Sequence, residues 1–359
     1  MGWVRETHHD FRLCPNPIRS PMPDWSRFVE IVGSHRRFLL TTHIRPDGDA
    51  LGSELAMAAI LASLGKDARV CNAFIVPPHL RFLDPGQEFQ SLDVERPDEQ
   101  VADREVLMVL DTSAWAQLGA MADVLRKSTA LKVVLDHHVS GDDLGAEEFK
   151  DVEAEATGRL VVDAADQLGV RLTPRIAQPA FVALATDTGW FRFSSTTAAT
   201  LRLAARLVEA GATPDQLYRQ LYETDRHARL QLIGRTLARS QTELGGRLIY
   251  TWIGQDDFKA TGALPSDSED IINMTLSVDG TEMAVILVEQ PDGSFKISLR
   301  SRCPIDCSAI AEQFSGGGHK KAAGASLSGP LESARQKILD AVRAALQPPP
   351  LVRSSGDRP

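Results

Sequence analysis

A doubly wound, mainly parallel α/β sheet, joined by a helical linker to a smaller α/β domain, is the fold this sequence predicts. Three observations lead there. Short apolar runs alternate with helical patterns over the first two hundred residues, the signature of strands paired through crossover helices. Two of those runs, Glu105–Leu110 and Leu131–Leu135, are unbroken enough to be covered on both faces, as parallel strands are. After Gly245-Gly246 the texture changes to alternating strands. At 359 residues the chain also exceeds what one core usually needs.

Residues 1–23 are rich in Pro, Arg and His without periodicity, so a disordered extension is expected, with His8 and His9 solvated. It lacks a basic start followed by an apolar core, so no secretory leader is expected. A helix follows over Asp24–Ser34, with Trp25, Phe28, Val29 and Val32 on one side. Strand Arg37–Thr42 leads into helix Ala50–Leu64, which presents Leu51, Leu55, Ala58 and Leu61 on one face and stops at Gly65. Strands Ala68–Ala73, Glu105–Leu110 and Leu131–Leu135 come next, then helices near Thr157–Leu168 and Arg175–Ala185. Helix Thr196–Ala210 ends at Gly211, closing a first domain over 24–210.

Thr213-Pro214 opens the next helix with a cap and a proline in its first turn. Another helix puts Leu230, Ile233 and Leu237 on one side, and residues 211–240 read as a connecting arm. The second domain, 241–346, holds strands Arg247–Ile253, Glu282–Glu289 and, after a Pro291-Asp292-Gly293 turn, Ser294–Ser301. A helix near Asp306–Phe314 precedes a glycine run, and helix Leu331–Leu346 closes the domain. The tail 347–359, with three prolines and then Ser, Gly, Asp and Arg, is expected to be disordered.

Composition narrows the function. Hydrophobic residues make up 43% and charged residues 24%, as in soluble globular proteins. No apolar stretch is long enough to span a membrane, so no membrane partner and a cytoplasmic location are expected. Cys14, Cys71, Cys303 and Cys307 are few and scattered, which fits a reducing compartment. Cys303 and Cys307 resemble half a zinc site, but no second pair lies nearby, so ordinary packing is expected. A net charge of −9 argues against gripping long duplex nucleic acid through a basic face. It leaves small phosphate-bearing substrates open.

Four segments carry the chemistry. The first, His43-Ile44-Arg45-Pro46-Asp47-Gly48-Asp49, follows an apolar strand and spaces an imidazole and two carboxylates as His-x₃-Asp-x-Asp. Asp136-His137-His138 repeats that layout, and Asp111 and Asp187 each end an apolar run. Carboxylates with imidazoles suit Mn²⁺ or a related divalent ion, with Mg²⁺ or Co²⁺ as alternatives. A pair of ions about 4 Å apart needs a bridging carboxylate and several terminal ligands, and then clamps both oxygens of a phosphoryl transfer. The count works with His43 and Asp47 on one metal, Asp49, His137 and Asp187 on the other, and Asp111 between them. A water activated by both ions is the expected nucleophile. Asp136 is expected to orient an imidazole, and His138 to contact the scissile phosphate or assist the leaving group. Taken singly, Asp111 and Asp187 could be mere turn residues and Asp49 a cap for a helix starting at Ala50.

These segments, together with HIRPDGDALGS, VLDTS and ATDTGWFRFSS, resemble the ordered motifs of DHH phosphoesterases. Ser298-Leu299-Arg300-Ser301 and Gly316-Gly317-Gly318-His319-Lys320-Lys321 resemble the DHH-associated C-terminal domain. The pairing is most similar to the nanoRNase branch, the bifunctional oligoribonucleases and 3′-phosphoadenosine 5′-phosphate phosphatases, over roughly Asp24 to Leu346. One departure is visible: Ser315 precedes three glycines, where the family often shows Phe and four. The resemblance implies short RNA or DNA oligonucleotides as substrates, among them linear or cyclic dinucleotides such as pApA and c-di-AMP, and a homodimer. Arg300, Ser301, Gly316, Gly317, Gly318 and His319 would hold one nucleotide end. The glycines would let backbone N–H groups converge on an oxyanion, and Arg300 offers a fork suited to phosphate. A RecJ-like exonuclease, a DHH-type inorganic pyrophosphatase and a nucleotide sensor without turnover are the rival readings.

Overall fold

Strands that are apolar at every position need a covering layer on each side, and the first sheet has both. The structure, a computed structural model, describes residues 22–96 and 100–346. The extension to residue 21, with His8, His9 and Cys14, and the tail 347–359 lie outside the described residues. Strand β1 (Arg37–Thr41) sends Phe38 and Leu40 into one core and Leu39 into another. After β2 (Asp67–Asn72) and the short β3 (Phe89–Ser91), β4 (Val106–Leu110) divides the same way. Its Val106, Met108 and Leu110 face the first core, and Leu107 and Val109 the second. Strand β5 (Leu131–Asp136) does likewise, and β6 (Glu147–Lys150) completes the sheet.

The order is β3-β2-β1-β4-β5-β6 and every pairing is parallel, a standard doubly wound arrangement. The order reverses between β1 and β4, which opens a crevice at their carboxyl ends. Helices α1 (Trp25–Ser34) and α2 (Gly48–Ser63) supply one layer, and α3 (Met121–Lys127) belongs to the other. Helices α4 (Thr157–Gln167) and α5 (Pro174–Asp187) join the first. Strands β3 and β6 escape a reading by pattern: each is three or four residues long, and Phe149 is the one buried side chain in β6.

Helix α2 starts two residues earlier than its apolar pattern indicates. Asp47 is the cap, its carboxylate accepting from the N–H groups of Asp49 and Ala50, each at 3.0 Å. That leaves Asp49 inside the first turn, free of the capping role. The helix is buried from Gly48 through Leu61, so no single apolar face exists to be read. It crosses α5 at Gly52, where a Cβ would meet the Pro179 carbonyl oxygen at 2.4 Å.

The chain divides into two compact units, through Thr224 and from Asp225. Helix α6 (Ala198–Glu209) carries a capping box of Thr197 and Thr200, and α7 (Pro214–Tyr222) ends the first unit. Pro214 occupies the first turn of α7 as expected, but the Thr213 hydroxyl makes no capping bond. Helix α8 (His227–Ala238) opens the second unit with Leu232 and Ile233 buried. Leu230, expected on the same stripe, is 54% exposed.

The second sheet has the order β11-β12-β10-β9-β8-β7. In chain order these are Gln241–Glu243, Leu248–Ile253, Met283–Glu289, Phe295–Ser301, Gly317–His319 and Ala322–Leu327. Only β8 and β9 run parallel. Helices α9 (Gln255–Thr261) and α10 (Ile271–Thr275) join α8 on one face, while α11 (Cys307–Glu312) and α12 (Leu331–Leu346) cover the other. Cys71, Cys303 and Cys307 are free thiols; Cys71 and Cys307 are buried. No helix of the described residues is long and apolar enough to cross a membrane.

The α2–α5 crossing gives a direct test. Gly52→Ala should cost about 1–3 kcal/mol, because backbone contact at this distance outweighs the better helix propensity of alanine. Gly234→Ala, mid-helix in α8 with nothing within 4 Å of its Cβ position, should instead gain roughly 0.5–1 kcal/mol. Denaturant melts of both variants check the pair of signs.

Candidate metal centre

Hydroxyls and one carboxamide tie the strand ends together before any metal-binding chemistry begins. The Thr42 hydroxyl donates to the Leu110 carbonyl at 2.8 Å, joining β1 to β4. Asn72, at the end of β2, accepts from the Thr41 hydroxyl and the Thr42 N–H. Its own amide donates to Glu54 of α2 at 2.9 Å. Glu54 is fully buried, and burial holds its carboxyl well above the usual range. The sequence reading missed this brace. Its signal is a carboxylate in the middle of an otherwise mostly apolar helix.

Asp111 follows β4 with φ at +61°, a left-handed turn that Asp and Asn tolerate better than other side chains. The turn aims its carboxylate back over the strand ends. Oδ1 accepts from the Thr157 hydroxyl at 2.9 Å, and Oδ2 lies 3.3 Å from His43 Nε2. Asp49 is 1% exposed and accepts the N–H groups of Thr157 (2.7 Å) and Gly158 (2.9 Å) at the start of α4, plus the Ser53 hydroxyl. Helix N-terminal N–H groups favour a negative charge placed there.

His137 is oriented from behind. Its Nδ1 lies 3.1 Å from the Ala154 carbonyl, which keeps the proton on that nitrogen and leaves the Nε2 lone pair free. Nε2 in turn lies 3.6 Å from Asp111, 3.7 Å from Asp187 and 3.8 Å from Asp49. Asp187 is the last residue of α5, so strand ends and a helix end converge.

Three groups of side chains could hold a metal ion: His43, Asp47 and Asp111; Asp49, His137 and Asp187; and Asp111, His137 and His138. Within each group the donor atoms lie within 4.8 Å of one another. The first two bring together the six side chains singled out in the sequence as metal donors. In the third, His138 Nδ1 already bonds Asp136 Oδ1 at 2.8 Å.

Charge crowding sets the electrostatics. Burial, and then the other carboxylates, push the carboxyls of Asp49 and Asp111 well above the usual range; burial raises Asp187 as well. Burial lowers His43. Asp136 runs the other way: burial opposes its charge, but hydrogen bonds from His138 and Ser113 bring it down to about 2. The same bond from Asp136 holds His138 up to about 9. Buried carboxylates pressed together with imidazoles make a hard-to-intermediate donor set, and a divalent cation fits it.

The expected substrate residues lie in the second unit. Arg300 is half-buried and turns one nitrogen to the Leu299 carbonyl. Ser301 is 6% exposed and donates to the Cys303 carbonyl at 3.0 Å. The glycine run is not the converging loop expected. Gly317–His319 form the edge strand β11, paired with Ala322–Gly324, and Gly316 donates to the Ala311 carbonyl. Glycine is required there: a Cβ at Gly318, whose φ is +145°, would lie 2.6 Å from the Ala322 oxygen. His319 remains exposed.

Fold and site together define a metal-dependent α/β phosphoesterase. Residues 37–184 match the DHH family N-terminal domain, and residues 245–347 match the DHHA1 domain. The chain is 34% identical over 309 residues to the bifunctional oligoribonuclease and PAP phosphatase NrnA of Thermus thermophilus, covering 86% of this chain and 89% of that one. An exopolyphosphatase-related protein from Bacteroides fragilis superposes with a TM-score of 0.80 at 25% identity, over 89% and 95% of the two chains. The exonuclease RecJ bound to manganese shares the fold at 15% identity, with a TM-score of 0.53 over 94% and 98%. The chain belongs to the DHH family of phosphoesterases.

A carboxyl raised by folding binds its proton more tightly in the native state. Its contribution to stability is therefore best at low pH and declines as pH rises through the raised value. Asp111→Asn removes that penalty and keeps the left-handed turn. In metal-free protein the variant should melt above the wild type, by a margin that widens from pH 5 to pH 8. Mn²⁺ should raise the melting temperature of the wild type far more than that of the variant. Scanning calorimetry across that pH range checks both trends.

Proposed function

We propose that the chain hydrolyses short oligonucleotides and dinucleotides, linear pApA and cyclic c-di-AMP among them, to 5′-mononucleotides. It also removes the 3′-phosphate of 3′-phosphoadenosine 5′-phosphate. The relatives named as oligoribonuclease and PAP phosphatase support this reading. The observation that carries it is the division of six donors into His43, Asp47 and Asp111 on one side and Asp49, His137 and Asp187 on the other.

Those residues would hold two divalent ions, with Mn²⁺ preferred on donor type, and Asp111 shared between them. Ions so bound supply positive charge for the phosphate oxygens and lower the pKa of a water. Asp136 fixes the His138 ring, which meets the phosphate or the leaving oxygen. Arg300, His319 and the exposed edge at Gly317 and Gly318 are the second unit's contacts to substrate. Gly316 and Ser301 keep β10 and β11 in shape for that contact. The net charge of −9 favours short substrates over long ones, against the RecJ-like alternative.

Incubating the protein with pApA, 3′-phosphoadenosine 5′-phosphate, pyrophosphate and a long single strand, with Mn²⁺ or EDTA, tests the proposal. AMP should appear from the first two only with metal. Cleavage confined to pyrophosphate, or processive digestion of the long strand, would overturn it. Arg300→Ala and His319→Ala should each raise KM for pApA by roughly 10–100-fold, the worth of one charged hydrogen bond, with metal content unchanged. Unaltered saturation curves for both would remove these side chains from substrate binding.

A further inference from the structure

A partly buried cation reaches the site without any part in the scheme above. Lys150, the last residue of β6, places Nζ 2.7 Å from Ser113 Oγ and 3.3 Å from Asp136 Oδ2. Ser113 passes the contact on, donating to the same Asp136 oxygen at 2.7 Å. The other oxygen, Oδ1, accepts from the His138 N–H at 3.0 Å and from its Nδ1 at 2.8 Å. One fully buried carboxylate is thus divided between a lysine–serine pair on one oxygen and His138 on the other. Hydrogen bonds run one way, from Lys150 to Ser113 to Asp136.

The loop after His138 is built around this chain. At Gly141 a Cβ would lie 2.1 Å from Ser113 Oγ and 3.0 Å from Lys150 Nζ, so only glycine closes over them. Lys150 also donates to the Ser140 carbonyl at 3.4 Å, and the Asp142 N–H donates to the Ser113 carbonyl at 2.7 Å. Ser113, Ser140 and His138 line a cavity of about 130 Å³ together with His43, Asp47, Asp111 and Asp187. A buried serine and a partly buried lysine held under a loop at the wall of this cavity do more than fill space.

We propose that Lys150 and Ser113 are positioning residues that act through Asp136, fixing the His138 ring so that its Nε2 proton meets the oxygen leaving phosphorus. This rests on the phosphoesterase reading and deepens it. In the step, a water oxygen bonds to phosphorus and the phosphorus–oxygen bond to the 3′-oxygen of the leaving nucleotide breaks. The bonding pair stays on the leaving oxygen, which takes the proton from Nε2; the water's proton passes to solvent, from which His138 is reprotonated. An imidazole held by a single bond to a mobile carboxylate would lose that alignment, and small misalignments are costly in rate.

Leaving-group dependence separates positioning from general structural support. An alkoxide needs a proton as it departs, whereas p-nitrophenolate does not. Lys150→Met should lower kcat on pApA by roughly 10–100-fold, with KM and bound metal unchanged. Its rate on the p-nitrophenyl ester of a nucleoside 5′-phosphate should hardly move. Ser113→Ala, which leaves the Lys150–Asp136 contact in place, should show the same selectivity to a smaller degree and guards against misfolding of the first variant. Adding Lys150→Met to His138→Gln should cost little more than His138→Gln alone, because both changes break one chain. Equal losses on both esters, or no loss on either, would overturn the proposal. If wild type leaves pApA intact, the substrate assignment fails, and the same comparison runs on whichever alkyl phosphoester it does cleave.

Discussion

Repulsion between buried carboxylates is the constraint on which the first unit is organised. Asp49 and Asp111 are each at most 2% exposed and share the pocket with Asp187. Left to themselves, such groups would take up protons or move apart. The fold prevents separation. Two N–H groups from α4 and the Ser53 hydroxyl hold Asp49, and a left-handed turn with the Thr157 hydroxyl holds Asp111. Like charges confined in this way are costly to stability and valuable for chemistry, since a divalent cation is the partner that relieves them. The ties among Thr41, Thr42, Asn72 and Glu54 then make sense as a brace on the strand ends against that repulsion.

Much of this arrangement was legible in the sequence, for identifiable reasons. The apolar runs at 106–110 and 133–135 are those of strands buried on both faces, and the parallel sheet follows from them. His43, Asp111, His137 and Asp187 each end an apolar run, so the sheet alone brings three of them to one edge. Asp47 and Asp49 illustrate the limit. Their spacing gave the donors, but the apolar pattern misplaced the helix start by two residues, because polar caps carry no periodicity. Glu54 and Lys150 stayed invisible for a related reason. Their roles depend on partners 18 and 37 residues away in sequence, Asn72 and Ser113, which no local pattern connects.

The second unit shows a different limit. Composition at Gly316-Gly317-Gly318 indicated a flexible loop able to wrap an anion. The structure uses the same glycines as an edge strand, because a Cβ at Gly316 or Gly318 would collide with β12. Glycine permits close approach in either case, and the sequence does not say what approaches. Strands β8, β9 and β10 were readable as strands, although only β10 alternates in burial and β8 and β9 are buried almost throughout, whereas the short β7 and β11 lack enough residues to show a pattern.

The proposed chemistry needs two cations around Asp111 in the first unit. Anomalous diffraction from crystals grown with Mn²⁺ tests it most directly. Two peaks roughly 4 Å apart are expected, one beside His43 and Asp47 and the other beside Asp49, His137 and Asp187, with Asp111 touching both. A single peak, or manganese bound away from these side chains, would contradict it.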